Sequence, residues 1–354
     1  MIVLDAHQDI AYTALQYNRD YSQSAYAARR AAAIAEEQGH IVTNGLPDAL
    51  LGRVGIVFAT LFAEPNWSPF TADKLMGYDT AQEAYQSAMH QWDYYQRLAE
   101  QQAQVDLIRD QAELAAVLAT WAEDTELQDH HIGLVLLMEG ADPIVEPAQV
   151  EEWVARGVRV IGPAWSETRY AGGTGRPGPL TDLGRELLDV MAEYNLVLDL
   201  SHTTEQGFFE GLDRYVGPVI ASHSNPAAFW DSERNLTDAQ IRRLAERDGV
   251  MGTVLYNRFL DPHWYEGAPK TNTPFSVLLD IIDHVCQVTG SAAHVGIGTD
   301  VDGGFGAESI PDGIDTVTDL LRIADGLRDR GYAEADIEGV MNGNFLRVLR
   351  RSLP

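Results

Sequence analysis

Residues 2–9, Ile2-Val3-Leu4-Asp5-Ala6-His7-Gln8-Asp9, run from an apolar stretch into two metal-ligand side chains two positions apart. On a β-strand, positions i and i+2 face the same side, so His7 and Asp9 would project together with Cα atoms roughly 6.6 Å apart. An imidazole nitrogen and a carboxylate oxygen suit a borderline cation such as zinc, which needs further ligands from elsewhere in the chain. A lone His-x-Asp carries little weight. Its meaning depends on whether other strands end in matching ligands.

Working outward, further strand-like runs stand at Val54–Phe62, Ile132–Met138, Val158–Ile161, Leu196–Leu200, Val219–Ala221, Val250–Leu255 and Val295–Gly298. Their length and β-branching mark buried strands. Helical patterns separate most of them: Tyr26–Gln38, the stretch after Thr80, Gln149–Arg156, Asp182–Tyr194, Thr204–Leu212, Thr237–Glu246 and Phe275–Thr289. Thr80 with Glu83, and Thr237 with Gln240, have capping-box spacing. Eight strands alternating with helices predict parallel strands joined by right-handed crossovers, and a (β/α)8 TIM barrel is the economical closure. An open doubly wound sheet is the alternative, but no Gly-x-Gly-x-x-Gly follows the first strand. No repeat or low-complexity linker divides the chain, so residues 1–354 are expected to form one barrel domain. Two long loops, Gly162–Pro179 and Asn257–Pro274, lie just beyond strands, where barrels keep functional loops.

The strand ends then answer the ligand question. Besides His7 and Asp9, they bring Glu139-Gly140, Asp199-Leu200-Ser201-His202, Ser222-His223-Ser224-Asn225 and Gly298-Thr299-Asp300 to the C-terminal face of the barrel. Taken singly, each has an ordinary alternative: a hydrogen-bonded core histidine, an arginine partner for Glu139, a helix cap for Asp300. Placed on one face, they supply enough ligands for two metals, with a central carboxylate able to bridge ions about 3.5 to 4 Å apart. His40, His90, His130, His131, His263, His284 and His294 fall in helices or loops and are not expected as ligands.

Composition narrows the function classes. The 354 residues include 53 acidic and 25 basic side chains, a formal net charge of −28. Such a surface repels phosphate backbones and anionic lipid headgroups, so neither nucleic acid nor a membrane is an expected partner. Cys286 is the single cysteine, which rules out an intramolecular disulfide and leaves no motif for a catalytic thiol. With no signal-like leader and no membrane-spanning apolar run, the chain reads as a soluble cytoplasmic protein.

His7-x-Asp9, Glu139-Gly140, Asp199-Leu200-Ser201-His202, Ser222-His223-Ser224-Asn225, Arg234-Asn235-Leu236, Gly298-x-Asp300-x-Asp302-Gly303 and Gly343-Asn344-Phe345-Leu346-Arg347-Val348 resemble, in order, the renal (membrane) dipeptidase family, zinc peptidases of family M19. The matches cover nearly the whole chain. The resemblance implies a (β/α)8 barrel with two Zn2+ that cleaves dipeptides, often with a D-residue at the C-terminal position. It places one zinc on His7, Asp9 and Glu139 and the other on Glu139, His202 and His223. It gives Arg234 the substrate carboxylate, Asp300 the proton transfers and Tyr256 a place in the substrate pocket. It also implies that a homodimer can form, although no stretch of sequence marks an interface.

The physical chemistry agrees with those roles. Two zinc ions sharing one water lower its pKa toward neutrality and polarise the scissile carbonyl. Asp300 can pass a proton to the leaving amine, and the planar fork of Arg234 suits a carboxylate. One departure stands out. The family carries a histidine at the end of strand four that stabilises the tetrahedral intermediate, whereas this chain reads Val160-Ile161-Gly162-Pro163-Ala164-Trp165. An indole N–H donates, but not as an imidazolium does. Trp165 is therefore expected to reshape the substrate pocket; Arg169 is the nearest candidate for a replacement cation, with a solvated loop arginine as its ordinary and favoured reading. The same metal barrel acting on an N-acyl amino acid, a lactone or a cyclic amide, or a non-catalytic metal-binding relative, are the alternatives to a dipeptidase.

Overall fold

The strands in chain order are β1 (Val3–Gln8), β2 (Val54–Phe62), β3 (Val105–Leu107), β4 (Ile132–Glu139), β5 (Val158–Gly162), β6 (Ala171–Gly173), β7 (Arg176–Leu180), β8 (Val197–Asp199), β9 (Val219–Ala221), β10 (Val250–Thr253) and β11 (Val295–Ile297). They come from a computed structural model that describes residues 1–35, 39–71, 74–122 and 125–354. Pairing runs β2-β1-β11-β10-β9-β8-β5-β4, and β4 pairs back onto β2 from Ile56↔Gly133 to Phe62↔Glu139. Eight parallel strands thus close the (β/α)8 barrel that the sequence predicts.

Because both faces of a barrel strand are covered, β1, β2 and β4 are buried at every position. Their side chains alternate between two apolar clusters. Leu4, Ile56, Phe58, Val135, Leu137 and Val160 meet inside the barrel together with Phe345 of the closing helix Asn344–Ser352. Val57, Leu61, Leu134, Leu136 and Ile161 pack on the outer side with the helices. Inward alternation on β4 continues from Val135 and Leu137 to Glu139, which carries its carboxylate to the barrel mouth.

β1 reaches the same face by an irregularity. Asp5 pairs with Val57 and Gln8 with Ala59, so β1 advances three residues while β2 advances two. The extra residue breaks the alternation after Ala6 and turns His7 inward. The strand ends at Gln8, and Asp9 stands at the start of helix Ile10–Tyr17 without capping it.

Both capping boxes form, at Thr80 with Glu83 and at Thr237 with Gln240. The expected helix over Tyr26–Gln38 is observed as Ala25–Ala35, and residues 36–38 lie outside the described residues. The stretch Gly162–Pro179 is not a plain loop: it contains most of the antiparallel hairpin β6–β7. That pairing needs bare backbone, since a Cβ on Gly172 would stand 2.2 Å from the nitrogen of Gly178. β3 is an addition the periodicity does not reveal. Its three residues pair with the foot of β4, on the edge that β5 takes farther up. Among the described residues, no helix is long and apolar enough to cross a membrane.

Candidate metal centre and pocket

The sequence-predicted ligands arrive from five strands at one buried point. His7 Nε2 lies 3.5 Å from Glu139 Oε2, 3.9 Å from Asp9 Oδ2 and 3.8 Å from Asp300 Oδ1. Glu139 turns its other oxygen, Oε1, to His202 Nε2 at 3.2 Å and His223 Nε2 at 3.3 Å. Those two imidazole nitrogens are 3.0 Å apart, and the His7 ring stacks on that of His223 with centroids 3.5 Å apart. Among the described residues, two groups are tight enough to hold a metal ion: His7, Glu139 and His223, and His7, Asp9 and Asp300.

The outer hydrogen bonds fix how these ligands point. His202 Nδ1 is 2.9 Å from Thr174 Oγ1, on the β6–β7 hairpin. His223 Nδ1 is 2.8 Å from Ser222 Oγ, which donates to Asp199 Oδ2 at 2.5 Å. Ser222 Oγ donates to Asp199 and so accepts from His223 Nδ1–H, and Thr174 Oγ1 offers the same acceptor to His202; with the proton on Nδ1, each Nε2 lone pair is free for a metal ion. Thr60 donates to Asp9 Oδ1 at 2.5 Å, so Oδ2 is the oxygen that faces inward. Among the described residues, neither nitrogen of fully buried His7 has a hydrogen-bond partner, Glu139 Oε2 standing off at 3.5 Å. A buried imidazole in that state costs free energy unless something else binds it. Gly303 keeps space open beside it: a Cβ there would stand 2.3 Å from Asp300 Oδ1 and 2.7 Å from Asp9 Oδ2. This donor set, with neutral nitrogens and carboxylates converging on a cradle free of side chain, fits divalent metal ions.

Charge balance tells the same story. Burial works to depress His7, yet Glu139, Asp9 and Asp300 together raise it to about 10. Burial and the Glu139 charge raise Asp9 to about 6, and burial lifts Asp300 well above the usual carboxylate range. Burial opposes ionisation of Glu139, but His7 and its hydrogen bonds to the other imidazoles hold it well below that range. Burial, then the Arg234 charge, lowers His202 to about 4. Burial and the neighbouring His7 and Arg234 charges keep His223 low as well. Without a cation, the crowded carboxylates are balanced by protons held on His7 and Asp300, a place that a bound cation would take.

Above it opens a cavity of about 590 Å³ that includes Asp9, Glu139, His202, Arg234, Asp300, Tyr256 and Trp165 in its lining. Arg234 is 3 % exposed and donates to His223 O at 2.7 Å and Ser224 Oγ at 3.2 Å, while its Nε has no partner. Its charge is answered at longer range by Asp300 and Glu139. Tyr256 stacks on Phe305 at 4.6 Å. Trp165 lies 5.0 Å from Phe62 and 5.6 Å from Phe70, centroid to centroid.

A model of the membrane dipeptidase family, peptidase family M19, matches residues 1–352. The chain belongs to the membrane dipeptidase family. It is, like its relatives, a metal-dependent hydrolase. Its M19 barrel superposes on a crystallised M19 dipeptidase with a TM-score of 0.79 at 26 % identity, covering 100 % of this chain and 99 % of that one. A Rhodobacter sphaeroides metallopeptidase, crystallised with a phosphinate mimic of L-Ala-D-Ala, gives 0.78 at 25 % identity, with 99 % of each chain covered. An uncharacterised Klebsiella pneumoniae protein from the pqqA 5' region is 32 % identical over 233 residues, 63 % of this chain and 83 % of its own length. An uncharacterised dipeptidase of Schizosaccharomyces pombe is 31 % identical over 169 residues, 48 % of this chain but 39 % of its own length.

Two expectations need correction or extension. Arg169 does not replace the family histidine, because its guanidinium donates to the carbonyls of Ile144 and Val145 and faces Asp142, away from the cavity. Arg176, from the same Gly/Pro-rich stretch, is the cation that lines the cavity, and only the turn of the hairpin puts it there. Thr60, Thr174 and Ser222 carried no spacing signal of their own. Ser222, next to a ligand histidine, was the most legible of the three.

Proposed function

We propose that this protein is a binuclear zinc hydrolase that cleaves the amide bond of a dipeptide or of a similar small amide bearing a free carboxylate. The observation that supports this most is the division of Glu139, with Oε1 toward His202 and His223 and Oε2 toward His7. One ion would be held by His7, Asp9 and Glu139, the other by Glu139, His202 and His223. When bound, such a pair supplies an activated water near neutral pH and a polarised amide carbonyl.

The chain's own residues do the rest. Arg234, whose Nε has no partner among the described residues and whose charge is answered only at longer range, binds the substrate carboxylate, since a planar anion suits its guanidinium. Asp300, which burial keeps protonated in the metal-free protein, would be ionised beside bound cations; as the carboxylate it takes the proton of the attacking water and delivers it to the leaving amine, which departs poorly otherwise. Trp165 and Tyr256 wall the cavity and limit what enters it. The phosphinate dipeptide mimic bound by the Rhodobacter sphaeroides relative supports the same substrate class here.

Metal analysis of the purified protein should find about two divalent ions per chain, and the loaded protein should hydrolyse dipeptides. Glu139→Gln should weaken both sites, because one charge serves both. One ion at most, unchanged by that substitution, overturns the binuclear centre; a fully loaded protein inert to every dipeptide overturns the reaction.

A further inference from the structure

Arg234, after β9, and Phe62, at the end of β2, stand on opposite sides of the barrel mouth, four strands apart in either direction. Arg234 follows β9 and shares its side with Asp300 after β11 and Phe259 after β10, whose ring it covers at 5.3 Å. Trp165 follows β5 and meets Phe62 at the end of β2, and these two strands flank β4 with its central Glu139. In an amide of the type R–CO–NH–CH(R′)–COO⁻, the carboxylate belongs to the leaving amine. If Arg234 holds that carboxylate and the scissile carbonyl lies over the metal centre, the acyl half extends across to the Phe62 side, where the Trp165 ring meets it.

That side is aromatic, and its hydroxyl groups are already engaged. Tyr12 packs on Phe62 at 4.9 Å while its hydroxyl contacts Glu64 Oε2 at 3.1 Å and Thr71 Oγ1 at 3.0 Å. Ser68 donates to Glu64 and Ser166 to the Thr174 carbonyl. Phe70 reaches over Gly304, where a Cβ would come within 2.0 Å of its ring tip, and meets Trp165 edge-on. The outer end is closed by Trp67, with the Arg176 guanidinium 4.1 Å above its ring. A polar acyl side chain would lose water there and find little to replace it, whereas an aromatic one gains ring contacts on several sides.

We propose that the Tyr12–Phe62–Phe70–Trp165 wall is the acyl-side specificity pocket and that the protein prefers substrates whose acyl half carries an aromatic or large aliphatic side chain. This rests on the reading of Arg234 as the carboxylate anchor of an amide hydrolase.

The test uses metal-loaded protein and dipeptides X-Ala with X as Gly, Ala, Leu, Phe and Trp. kcat/KM should rise by about 10-fold or more from Gly to Phe, as expected for burying a ring against apolar walls. Trp165→Ala should abolish most of that margin, read within the variant as the ratio of kcat/KM for Phe-Ala to that for Gly-Ala, and Trp165→Phe should keep it. In parallel, calorimetry with 3-phenylpropionate and propionate, which share the carboxylate and differ by the ring, reads the pocket without turnover. Wild type should favour the phenyl acid by about 10-fold, and Trp165→Ala should not. Equal kcat/KM for Gly and Phe, or a margin indifferent to Trp165→Ala, overturns the pocket. If no dipeptide is cleaved but the calorimetric margin is present and depends on Trp165, the pocket stands and the dipeptidase reading falls. Absence of both overturns the pocket.

Discussion

Ser222 and His223 are adjacent in the chain and bonded through their side chains, Ser222 Oγ to His223 Nδ1 at 2.8 Å, with Asp199 Oδ2 accepting from the same hydroxyl at 2.5 Å. Asp199 also accepts from the backbone N–H groups of Ser201 and Ser222, so it ties β8 to β9 directly beneath the two histidines. A serine hydroxyl placed between a carboxylate and an imidazole sets both the tautomer and the angle of the ring. Such outer contacts are commonly worth 10- to 100-fold in metal affinity.

Ser222→Ala should therefore lower affinity for the ion held by His223 by about 10-fold or more while the fold persists. Competition titration with a chelator would measure it. An unchanged affinity would show that the Asp199–Ser222 pair serves only to join the strands.

Metal binding should also expel a proton from His7. Without metal, the surrounding carboxylates hold this imidazole protonated up to a pKa of about 10, and a ligand nitrogen must be neutral. At pH 7 to 8 the fraction of neutral His7 grows roughly tenfold per pH unit, so metal affinity should rise with pH across this range. Calorimetry in buffers of different ionisation enthalpy should record release of at least one proton per chain. Zero release at pH 7.5 would mean that His7 is already neutral in the metal-free protein.

Much of this arrangement can be read from the sequence, for identifiable reasons. Barrel strands buried on both sides appear as continuous β-branched runs such as Val54–Phe62, and ligands such as Glu139 follow immediately. What escapes is whatever depends on close approach between distant backbones. The bulge that turns His7 inward exists only in the pairing of β1 with β2. The β6–β7 hairpin reads as a loop because its Gly and Pro content suggests none of the cross-strand packing usually sought in strands. With the hairpin go Thr174, which orients His202, and Arg176, which caps Trp67. Phe62 and Tyr12 look like ordinary core residues, because nothing in one sequence distinguishes a ring facing a cavity from one facing another ring.

Asp300 sits in a left-handed backbone conformation, φ 60°, held by its N–H to the His7 carbonyl at 3.2 Å. The polar side chain of aspartate tolerates this region better than most, and the strained turn aims the carboxylate at the centre. Asp300→Asn keeps shape and backbone preference but removes the proton carrier. Turnover should fall by about 100-fold or more, with the ion on His202 and His223 retained. Equal turnover in the variant would remove Asp300 from proton transfer.

The family resemblance leads one to expect, at the position of Trp165, a histidine that stabilises the tetrahedral intermediate. The Trp165 ring is held by Phe62 and Phe70 and lies 6.1 Å from the His202 ring. Loss of an intermediate-stabilising donor costs about 100-fold in rate when nothing compensates. Arg169 does not compensate, as its guanidinium is engaged with the Ile144 and Val145 carbonyls. Small dipeptides, which gain little from an apolar wall, should then be poor substrates. Substrates with a large apolar acyl group should recover part of the deficit through contact with the indole, provided that contact strengthens as the carbonyl carbon becomes tetrahedral. Trp165→His exchanges one contribution for the other, so it should raise kcat on Gly-Ala and lower kcat/KM on Phe-Ala. Steady-state kinetics on the two dipeptides decides the matter. If both parameters move in the same direction, or neither moves, the end of β5 does not set substrate choice.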